Sequence, residues 1–311
     1  MSGLSESALV AAPLPARRPR RRPSVGRIVG WAFMLVVIVA TLFPFYWMLR
    51  TALSNTQALA ADPTSLLPVG FTWDAFARVL GLASTSDALA QGGSGASMNF
   101  WLYLGNSVVV STTITVCQVF FCALGAYAFA RLNWRGRDQV FFVLLTALMI
   151  PPIFTILPNY LTIKSLGLTQ TLAGIILPSA FMTPFALFFL RQFFLSVNRE
   201  IEEAATLDGL GRIAIFFRII LPMSWAPVTT LAVLTYITSW NDYMWPLLVA
   251  SKDQVRVLTV ALGVFKAQTP TGTPDWAGLM AATVVSTIPL LVLYAVLGKR
   301  IVNSIGFTGL K

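Results

Sequence analysis

The 311-residue sequence contains no histidine and only two cysteines, Cys117 and Cys122. The absence of histidine removes the imidazole on which Ser-His-Asp triads and many zinc sites depend. Both cysteines lie within one long apolar run, where a free thiol behaves as a small hydrophobic group. The sequence therefore predicts neither a catalytic residue nor a metal site.

Charged side chains are also scarce. They make up 11% of the chain, whereas a typical soluble domain carries roughly 25%. Hydrophobic residues account for 56%, and this composition indicates a membrane protein. The net charge of +10 does not indicate a nucleic-acid partner, because the Lys and Arg residues lie at the ends of apolar runs rather than along a stripe that follows phosphates.

The apolar runs predict an all-α, polytopic membrane protein with six transmembrane helices. Each run holds the roughly 20 residues that a helix needs to cross the hydrocarbon core. The predicted spans are residues 28–49, 105–130, 139–163, 172–195, 226–250 and 277–298. The last four contain prolines, which break a membrane helix unless neighbouring groups satisfy the freed carbonyls. We interpret them as kinked helices packed around a pathway; the alternative is the ordinary proline content of membrane helices.

The distribution of basic residues predicts that both termini lie in the cytoplasm. Sixteen of the 22 Lys and Arg residues fall in the two tails and in the second-to-third and fourth-to-fifth connections. Connections rich in these residues stay on the cytoplasmic side. A basic start followed by an apolar run also resembles a signal peptide, but this run is too long, and the small-residue candidate at 58–60 lies well beyond its end. We therefore predict that the first span is retained.

The same pattern divides the chain into segments. Residues 1–27, rich in arginine and proline, predict a disordered basic tail in the cytoplasm. The other segments are a first span with an external loop (28–104), a membrane core (105–300) that includes a cytoplasmic loop at about 196–222, and a cytoplasmic tail (301–311). The external loop contains an insert at 81–97, whose Gly- and Ser-rich stretch is typical of a linker.

The cytoplasmic loop at 196–222 carries the most informative motif in the sequence. The motif reads E-A-A, three residues, Gly, nine residues, then I-x-L-P. Its residues are Glu203, Ala204, Ala205, Asp208, Gly209, Ile219, Leu221 and Pro222.

Physical reasoning on this loop predicts a helix-turn-helix docking element. Asn198 is placed to cap a short helix, and Gly209 can end that helix in a left-handed conformation. Ile201, Ala204 and Ala205 are predicted to share one shallow face, over which a partner's groove can close. The alternative is a helix that merely lies on the membrane surface.

A second candidate site is the sequence Trp240-Asn241-Asp242-Tyr243 in the outer part of the fifth span. An ionisable residue inside a span is costly and indicates function. Asp242 and Asn241 can hydrogen-bond to hydroxyl groups, while Trp240 and Tyr243 offer flat faces to sugar C–H surfaces. The hypothesis is therefore a solute pathway at these four residues. The alternative is an aromatic belt at the membrane interface.

The loop motif resembles the signature of permease subunits in bacterial ABC importers. Further resemblances extend from about Asn106 to near the C-terminus. They lie at Asn106-Ser107, 126–132, Met149-Ile150-Pro151, 188–194 and 239–243. Together these stretches are similar to the smaller of the two permeases in carbohydrate importers of the maltose type.

This resemblance implies the ABC importer permease fold, a place in the bacterial cell membrane and ATP-driven import of a sugar or oligosaccharide. The implied partners are a second permease, a pair of ATPase subunits and an extracytoplasmic solute-binding protein. The eight motif residues of the loop would contact the ATPase. The chain departs from the family pattern at Asn198, where proline is usual, in the insert at 81–97 and in the C-terminal tail.

No segment matches the phosphate-binding loop G-x-x-x-x-G-K-[ST]. We therefore predict no cofactor on this chain, with ATP and Mg²⁺ bound by the partner ATPase. Three alternatives stay open: the same machinery moving another solute such as glycerol phosphate, a membrane-embedded enzyme, and an ion channel. The sequence disfavours the last two, because its spans have no paired carboxylates and no filter-like segment.

Overall fold

The computed structural model describes residues 25–84, 86, 99–267 and 275–306, with the backbone alone from residue 299 onward. All regular structure in these ranges is helical, which confirms the predicted all-α class. The chain divides into two compact units, one ending at Tyr46 and the other beginning at Trp47. Most of the predicted tail at 1–27, most of the insert at 81–97 and the end of the C-terminal tail lie outside the described residues.

The first helix, α1 (Val25–Ala52), begins slightly before the predicted start of the first span. Every side chain from residue 25 to residue 46 is exposed, and the helix is apolar around its whole circumference. Such a helix is suited to a lipid surface rather than to water. Its final turn belongs to the second unit, where Arg50 donates a hydrogen bond to the carbonyl of Leu67 at 3.2 Å.

The rest of the described chain is a series of helices of very different lengths. In chain order these are α2 (Thr56–Ala61), α3 (Asp74–Val79), α4 (Phe100–Arg131), α5 (Arg137–Thr146), α6 (Pro152–Ser165), α7 (Leu172–Ile176), α8 (Pro184–Ser196), α9 (Arg199–Leu207), α10 (Arg212–Ile215), α11 (Leu221–Met223), α12 (Trp225–Trp240), α13 (Met244–Val249), α14 (Leu258–Ala267) and α15 (Trp276–Gly306). Short 3₁₀ turns follow α5 and precede α14, and a π-helical turn joins α10 to α11.

Among the described helices, α1, α4 and α15 are long and apolar enough to cross a membrane. The count rises from 3 to 5 if two sharply bent helix pairs are each taken as one span. The predicted span at 172–195 contains only the short helix α7 and the 13-residue apolar helix α8. A membrane protein with several apolar helices is therefore confirmed, while the count of six stays a prediction.

Three of the four spans predicted to be kinked are interrupted, so their bends are complete breaks in the helix. The run that ends with Met149 meets α6 at an angle of 103°, because Pro151 has an extended backbone and no N–H to continue the helix. The span at 172–195 breaks before Pro184, and the span at 226–250 breaks between α12 and α13. Apolar composition reports which segments avoid water, but it does not report whether the helix within them is continuous.

Helix α4 is the central element of the second unit and packs against both α8 and α12. At its C-terminal end, an apolar cluster joins it to α8 and to the loop at 196–222. At its N-terminal end, Asn106 donates to the carbonyls of Gln254 and Arg256 at 3.0 and 2.9 Å, and the Ser107 hydroxyl accepts from the amide of Leu258 at 2.8 Å. The Asn-Ser pair therefore fixes the segment before α14 to α4.

Candidate functional site

The loop at 196–222 begins with helix α9, whose two ends are both capped. Oδ1 of Asn198 accepts a hydrogen bond from the amide of Glu200 at 3.1 Å. At the other end, the Gly209 amide donates to the carbonyl of Thr206, and the next amide donates to the carbonyl of Ala205, both at 3.0 Å. With Gly209 at φ +86°, these bonds form a Schellman C-cap. The predicted cap and the predicted left-handed glycine are both confirmed.

The face predicted for docking is divided in the structure. Ala205 is only 7% exposed and packs into the chain's own apolar cluster. Its neighbours Glu203 and Ala204 are exposed, as is Asp208, and Leu207 is 90% exposed. Successive helical residues point about 100° apart at 3.6 residues per turn, so the two alanines do not share one surface. Ala205 anchors the helix, and the four exposed residues form the surface open to a partner.

The second half of the loop is attached to the membrane core. Ile219 and Leu221 are half-buried and pack against the same apolar cluster as Ala205, while Pro222 is exposed at the start of α11. The helical run Arg212–Met223 then meets α12 at an angle of 79°. The I-x-L-P part of the motif therefore connects the loop to α12, and its contact with an ATPase stays a prediction.

Arg131, in the last turn of α4, fastens the first half of the loop to the core. Its Nε lies 3.0 Å from Oε1 of Glu202, and its guanidinium also donates to the carbonyls of Phe194 and Val197. The Arg131 side chain is 3% exposed and that of Glu202 is 16% exposed. The two carbonyls satisfy a terminal nitrogen of this buried guanidinium, and Glu202 supplies its counter-charge, although Nε and Oε1 do not reach hydrogen-bonding geometry. These contacts fix the position of α9 against α4 and α8.

Tyr127, one turn earlier in α4, contacts the second half of the loop. Its hydroxyl donates to the carbonyl of Arg212 at 3.2 Å, and its ring centroid lies 5.1 Å from that of Phe216. Both halves of the loop are thus attached to one helix of the membrane core. Sequence reasoning quoted the 126–132 stretch only as a resemblance and missed these contacts. The signal that could have shown them was the spacing of Tyr127 and Arg131, which places them on one helix face.

A cavity of about 650 Å³ lies between α4, α12 and the start of α8. Its polar lining residues are Gln118, Ser179, Thr183, Thr235, Thr238, Ser239 and Asp242. Nε2 of Gln118 donates to the Thr183 hydroxyl at 2.8 Å, and Oδ1 of Asp242 accepts from the amide of Trp245 at 3.4 Å. The other lining side chains are apolar. A concave surface with a few converging polar groups is typical of a small-molecule site.

Of the four predicted pathway residues, only Asp242 lines this cavity. Trp240 is 5% exposed, stacks on Tyr236 with ring centroids 5.8 Å apart, and belongs to an apolar cluster with α3 and α15. The prediction that Trp240 offers an open face to a solute is therefore corrected. The reason is that α12 ends at this residue with its ring directed into the helix packing.

Asn241 and Tyr243 also lie outside the cavity lining, although both are exposed. Nδ2 of Asn241 donates to the carbonyl of Ile237 at 2.8 Å, which satisfies a carbonyl in the last turn of α12. The Tyr243 ring lies so close to Gly263 that a Cβ there would come within 2.8 Å of it. Both residues shape the break between α12 and α13 that brings Asp242 to the cavity.

Sequence reasoning missed the other polar residues of the cavity. Gln118 is a long amide in the middle of the apolar helix α4, and a polar residue at such a depth is itself a functional signal. Thr183 and Ser239 carry no comparable signal, because hydroxyl groups are common in membrane helices and usually bond to their own backbone. Only the packing of α4, α8 and α12 brings these three side chains together.

Interrupted apolar helices, a cavity with a few polar side chains and a capped loop at 196–222 are together typical of a membrane transport subunit. The chain matches the family model "Binding-protein-dependent transport system inner membrane component" over residues 120–306. It belongs to this family, whose members are ABC transporter permease subunits rather than enzymes. The predicted family is thereby confirmed.

Sequence similarity to individual ABC transporter permeases extends over nearly the whole chain. A probable ABC transporter permease of Bacillus subtilis, YurM, is 31% identical over 299 residues, which cover 94% of this chain and 92% of that protein. The trehalose/maltose transport system permease MalG of Thermococcus litoralis is 29% identical and covers 91% of this chain and 95% of its own.

One solved structure has the same fold. It is a bacterial ABC transporter involved in the import of the acidic polysaccharide alginate, with a TM-score of 0.74 and 21% identity over 88% of this chain and 95% of that chain. At this level of identity the match establishes the ABC permease fold and carries no information about the solute of the present protein.

Proposed function

We propose that this chain forms half of the membrane pathway of an ATP-driven sugar importer and couples to a cytoplasmic ATPase through the loop at 196–222. The observation that carries the proposal is the construction of that loop. Its outer surface, with Glu203 and Leu207 exposed, is open to a partner, while Arg131 and Tyr127 attach its inner side to α4. Movement of a docked ATPase would therefore be transmitted directly to the helix that lines the cavity.

The proposed partners follow from this arrangement and from the family. A second permease completes the pathway, a pair of ATPase subunits binds and hydrolyses ATP with Mg²⁺, and an extracytoplasmic binding protein delivers the solute. The segment around Val255–Trp276, which contains α14, would face that binding protein. A sugar is the favoured solute because the maltose-type permease of T. litoralis resembles this chain over nearly its full length. Import of glycerol phosphate by the same machinery is the competing proposal.

Purification of the tagged chain from the membranes of its host should recover an ATPase and a second permease in stable association. Reconstituted into vesicles, this complex should hydrolyse ATP faster when the extracytoplasmic binding protein is added, because delivery of solute is coupled to nucleotide turnover. The measurement is the rate of phosphate release with and without the binding protein. Recovery of the chain without any ATPase, under conditions that preserve the second permease, would contradict the proposal.

We further propose that both termini and the loop at 196–222 lie in the cytoplasm. The distribution of Lys and Arg gives the direction of this orientation, and two ion pairs agree with the predicted grouping of the segments by side. Arg78 lies 3.1 Å from Asp275, and both are in segments predicted to be external; Arg131 lies 3.0 Å from Glu202, and both are in segments predicted to be cytoplasmic. Neither pair joins segments from opposite predicted sides.

A cysteine placed near Lys311 is therefore expected to resist an impermeant thiol reagent in intact cells and to react after the membrane is opened. A cysteine at Ser251, exposed in a segment predicted to be external, is the positive control and should react in intact cells. The readout is the mass shift of the labelled chain. Efficient labelling near Lys311 in intact cells would contradict the proposed topology.

A further inference from the structure

We infer that this subunit itself holds the transported solute, in the cavity around Asp242, and that the site takes a neutral, hydroxyl-rich solute and excludes anions. The inference rests on the proposed function and narrows its solute class. Membership of the family does not decide between a neutral sugar and a solute that carries a phosphate or a uronate. The inference favours the neutral sugar. Four observations on the cavity carry it.

The first observation is an unused hydrogen-bonding group. Oγ of Ser239 is buried, lines the cavity and has no hydrogen-bond partner among the described residues. Its neighbour Thr238 behaves differently, since its hydroxyl donates to the carbonyl of Leu234 at 2.9 Å. Hydroxyls in membrane helices usually satisfy themselves in this way, and a buried polar atom without a partner requires an explanation. Rotation of the Ser239 side chain about its Cα–Cβ bond would turn this buried hydroxyl towards the cavity, where a solute hydroxyl can supply the missing partner.

The second observation is the type of polar group that faces the cavity. Gln118 has an amide with two N–H donors and a carbonyl acceptor, and one donor is used on Thr183 at 2.8 Å. Asp242 offers carboxyl oxygens, which interact with the backbone amides of Trp245, at 3.4 Å, and of Met244. These two contacts leave carboxyl lone pairs for a solute hydroxyl. Groups that both donate and accept match sugar hydroxyls, which do the same.

The third observation concerns charge. Among the described residues that line the cavity there is no Lys or Arg, and the one ionisable side chain is the acid Asp242. A phosphate or carboxylate entering this space would lose water without meeting a counter-charge from this chain, which is strongly unfavourable in a low-dielectric site. The carboxyl group of Asp242 offers an anion no compensation. The part of the cavity that this chain lines therefore disfavours anions.

The fourth observation is shape. The cavity volume of about 650 Å³ falls within the roughly 300–1,000 Å³ found for small-molecule sites. Phe185 and Pro246 contribute apolar lining, against which the C–H face of a sugar ring can pack. The site thus combines hydrogen-bonding groups with apolar side chains. A pyranose ring is complementary to both, because it carries hydroxyl groups and an apolar C–H face.

A charge-resolved labelling experiment tests this inference without knowledge of the solute. In the purified permease–ATPase complex carrying Cys117→Ala and Cys122→Ala, Ser239→Cys provides the single thiol of this chain, and the readout is the mass shift of this chain alone. The thiol is treated with 2-hydroxyethyl or 2-sulfonatoethyl methanethiosulfonate, which are neutral and anionic, respectively. The thiolate attacks the reagent's sulfenyl sulfur, a mixed disulfide forms and methanesulfinate leaves. After normalisation to free 2-mercaptoethanol, we expect the anionic reagent to react about ten-fold more slowly.

Three further variants make the result specific. Asp242→Asn in the reporter background should bring the two normalised rates closer together, because it removes the acid while keeping the shape of the side chain. Asp253→Asn makes the same chemical change at an exposed residue outside the cavity, and it should leave the ratio unchanged. Thr238→Cys is a second reporter on the same lining, which guards against misfolding of the Ser239→Cys protein.

Equal normalised rates for the two reagents, or no reaction at either reporter, would overturn the inference. If Asp242→Asn does not change the ratio of the two labelling rates, Asp242 does not contribute to the exclusion of anions. These outcomes are independent of the coupling proposal, since labelling requires no transport. A complex that retains its ATPase but fails the labelling test contradicts only the solute site, whereas loss of the ATPase contradicts the proposed function itself.

Discussion

Gly209→Leu is expected to abolish binding-protein-stimulated ATP hydrolysis while leaving the membrane helices folded. Gly209 sits at φ +86°, and a Cβ built on it meets no atom within 4 Å. The leucine side chain therefore enters open space next to the exposed residues Leu207 and Asp208, where the proposed docking would bring the groove of an ATPase. The backbone strain adds only about 1–2 kcal/mol. The measurements are co-purification of the ATPase and stimulated phosphate release in reconstituted vesicles.

Two control variants separate the steric effect from the strain. Gly209→Ala introduces the same backbone strain with almost no added volume and should retain most of the stimulation. Gly136→Leu places the same side chain on another glycine with φ +84° and open surroundings, in a connection outside the loop.

Glu203→Lys, which reverses the charge of an exposed residue on α9, should also release or uncouple the ATPase. If Gly209→Leu and Glu203→Lys both keep full stimulation, the loop is not the coupling element.

The sequence was a good guide to the loop because its geometry is determined locally. A cap such as that of Asn198 and a C-terminal glycine such as Gly209 satisfy the ends of a helix with groups only a few residues away. Their conformations can therefore be predicted without tertiary information. The long spans near α1, α4 and α15 were predictable for a related reason, since an uninterrupted apolar run of roughly 20 residues matches the thickness of the hydrocarbon core and is unfavourable in water.

The breaks in the other spans depend on tertiary contacts and were less predictable. Pro151 gives a local reason for the bend before α6, but the break between Trp240 and Met244 has no proline at its centre. It is stabilised from outside, since the Thr259 hydroxyl donates to the carbonyl of Asp242 at 2.7 Å. A contact between residues so far apart in sequence leaves no periodic signal in either segment.

The candidate pathway illustrates the same limit at the level of side chains. Reasoning from residue type grouped Trp240 with Asp242, because a carboxylate can bond to sugar hydroxyls and an indole ring offers a flat face to sugar C–H surfaces. Which of them faces a cavity depends on the rotation of α12 against its neighbours. That rotation buries Trp240 against Tyr236 and leaves Asp242 in the lining of the cavity, to which Gln118 also belongs. Composition therefore identified the region, and packing selected the residue.

Substitution of Arg131, which pairs with Glu202, tests directly whether this contact holds the loop against the membrane core. Arg131→Met is expected to lower the free energy of unfolding by about 3–5 kcal/mol, since it leaves a partly buried carboxylate and the carbonyls of Phe194 and Val197 without their donor. The stability is measured on the purified complex by denaturant-induced loss of helical signal. A change within about 0.5 kcal/mol, as at an ordinary surface site, would contradict the assigned role.

A second variant separates binding of the ATPase to α9 from transmission of its movement to α4. Glu202→Gln removes the charge while Arg131 keeps its two carbonyl partners, so the fold should be retained and α9 held less firmly. Because the exposed surface of α9 is unchanged, the ATPase should still co-purify, yet stimulation by the binding protein should fall. Glu203→Gln is the matched control, as it makes the same change on the outward side of α9. It should leave the stability unchanged, since no contact with α4 is lost.

A double-mutant cycle decides whether Arg131 and Glu202 act through each other. Residues in direct contact show coupling of roughly 0.5–3 kcal/mol, so Arg131→Met with Glu202→Gln should be less destabilised than the sum of the single variants. Strict additivity would mean that Arg131 stabilises the end of α8 through its carbonyl contacts alone, and that α9 is positioned by the apolar packing of Ala205. In that case, the rigid connection from the docking surface to α4 would run through Tyr127 and Phe216 in the second half of the loop.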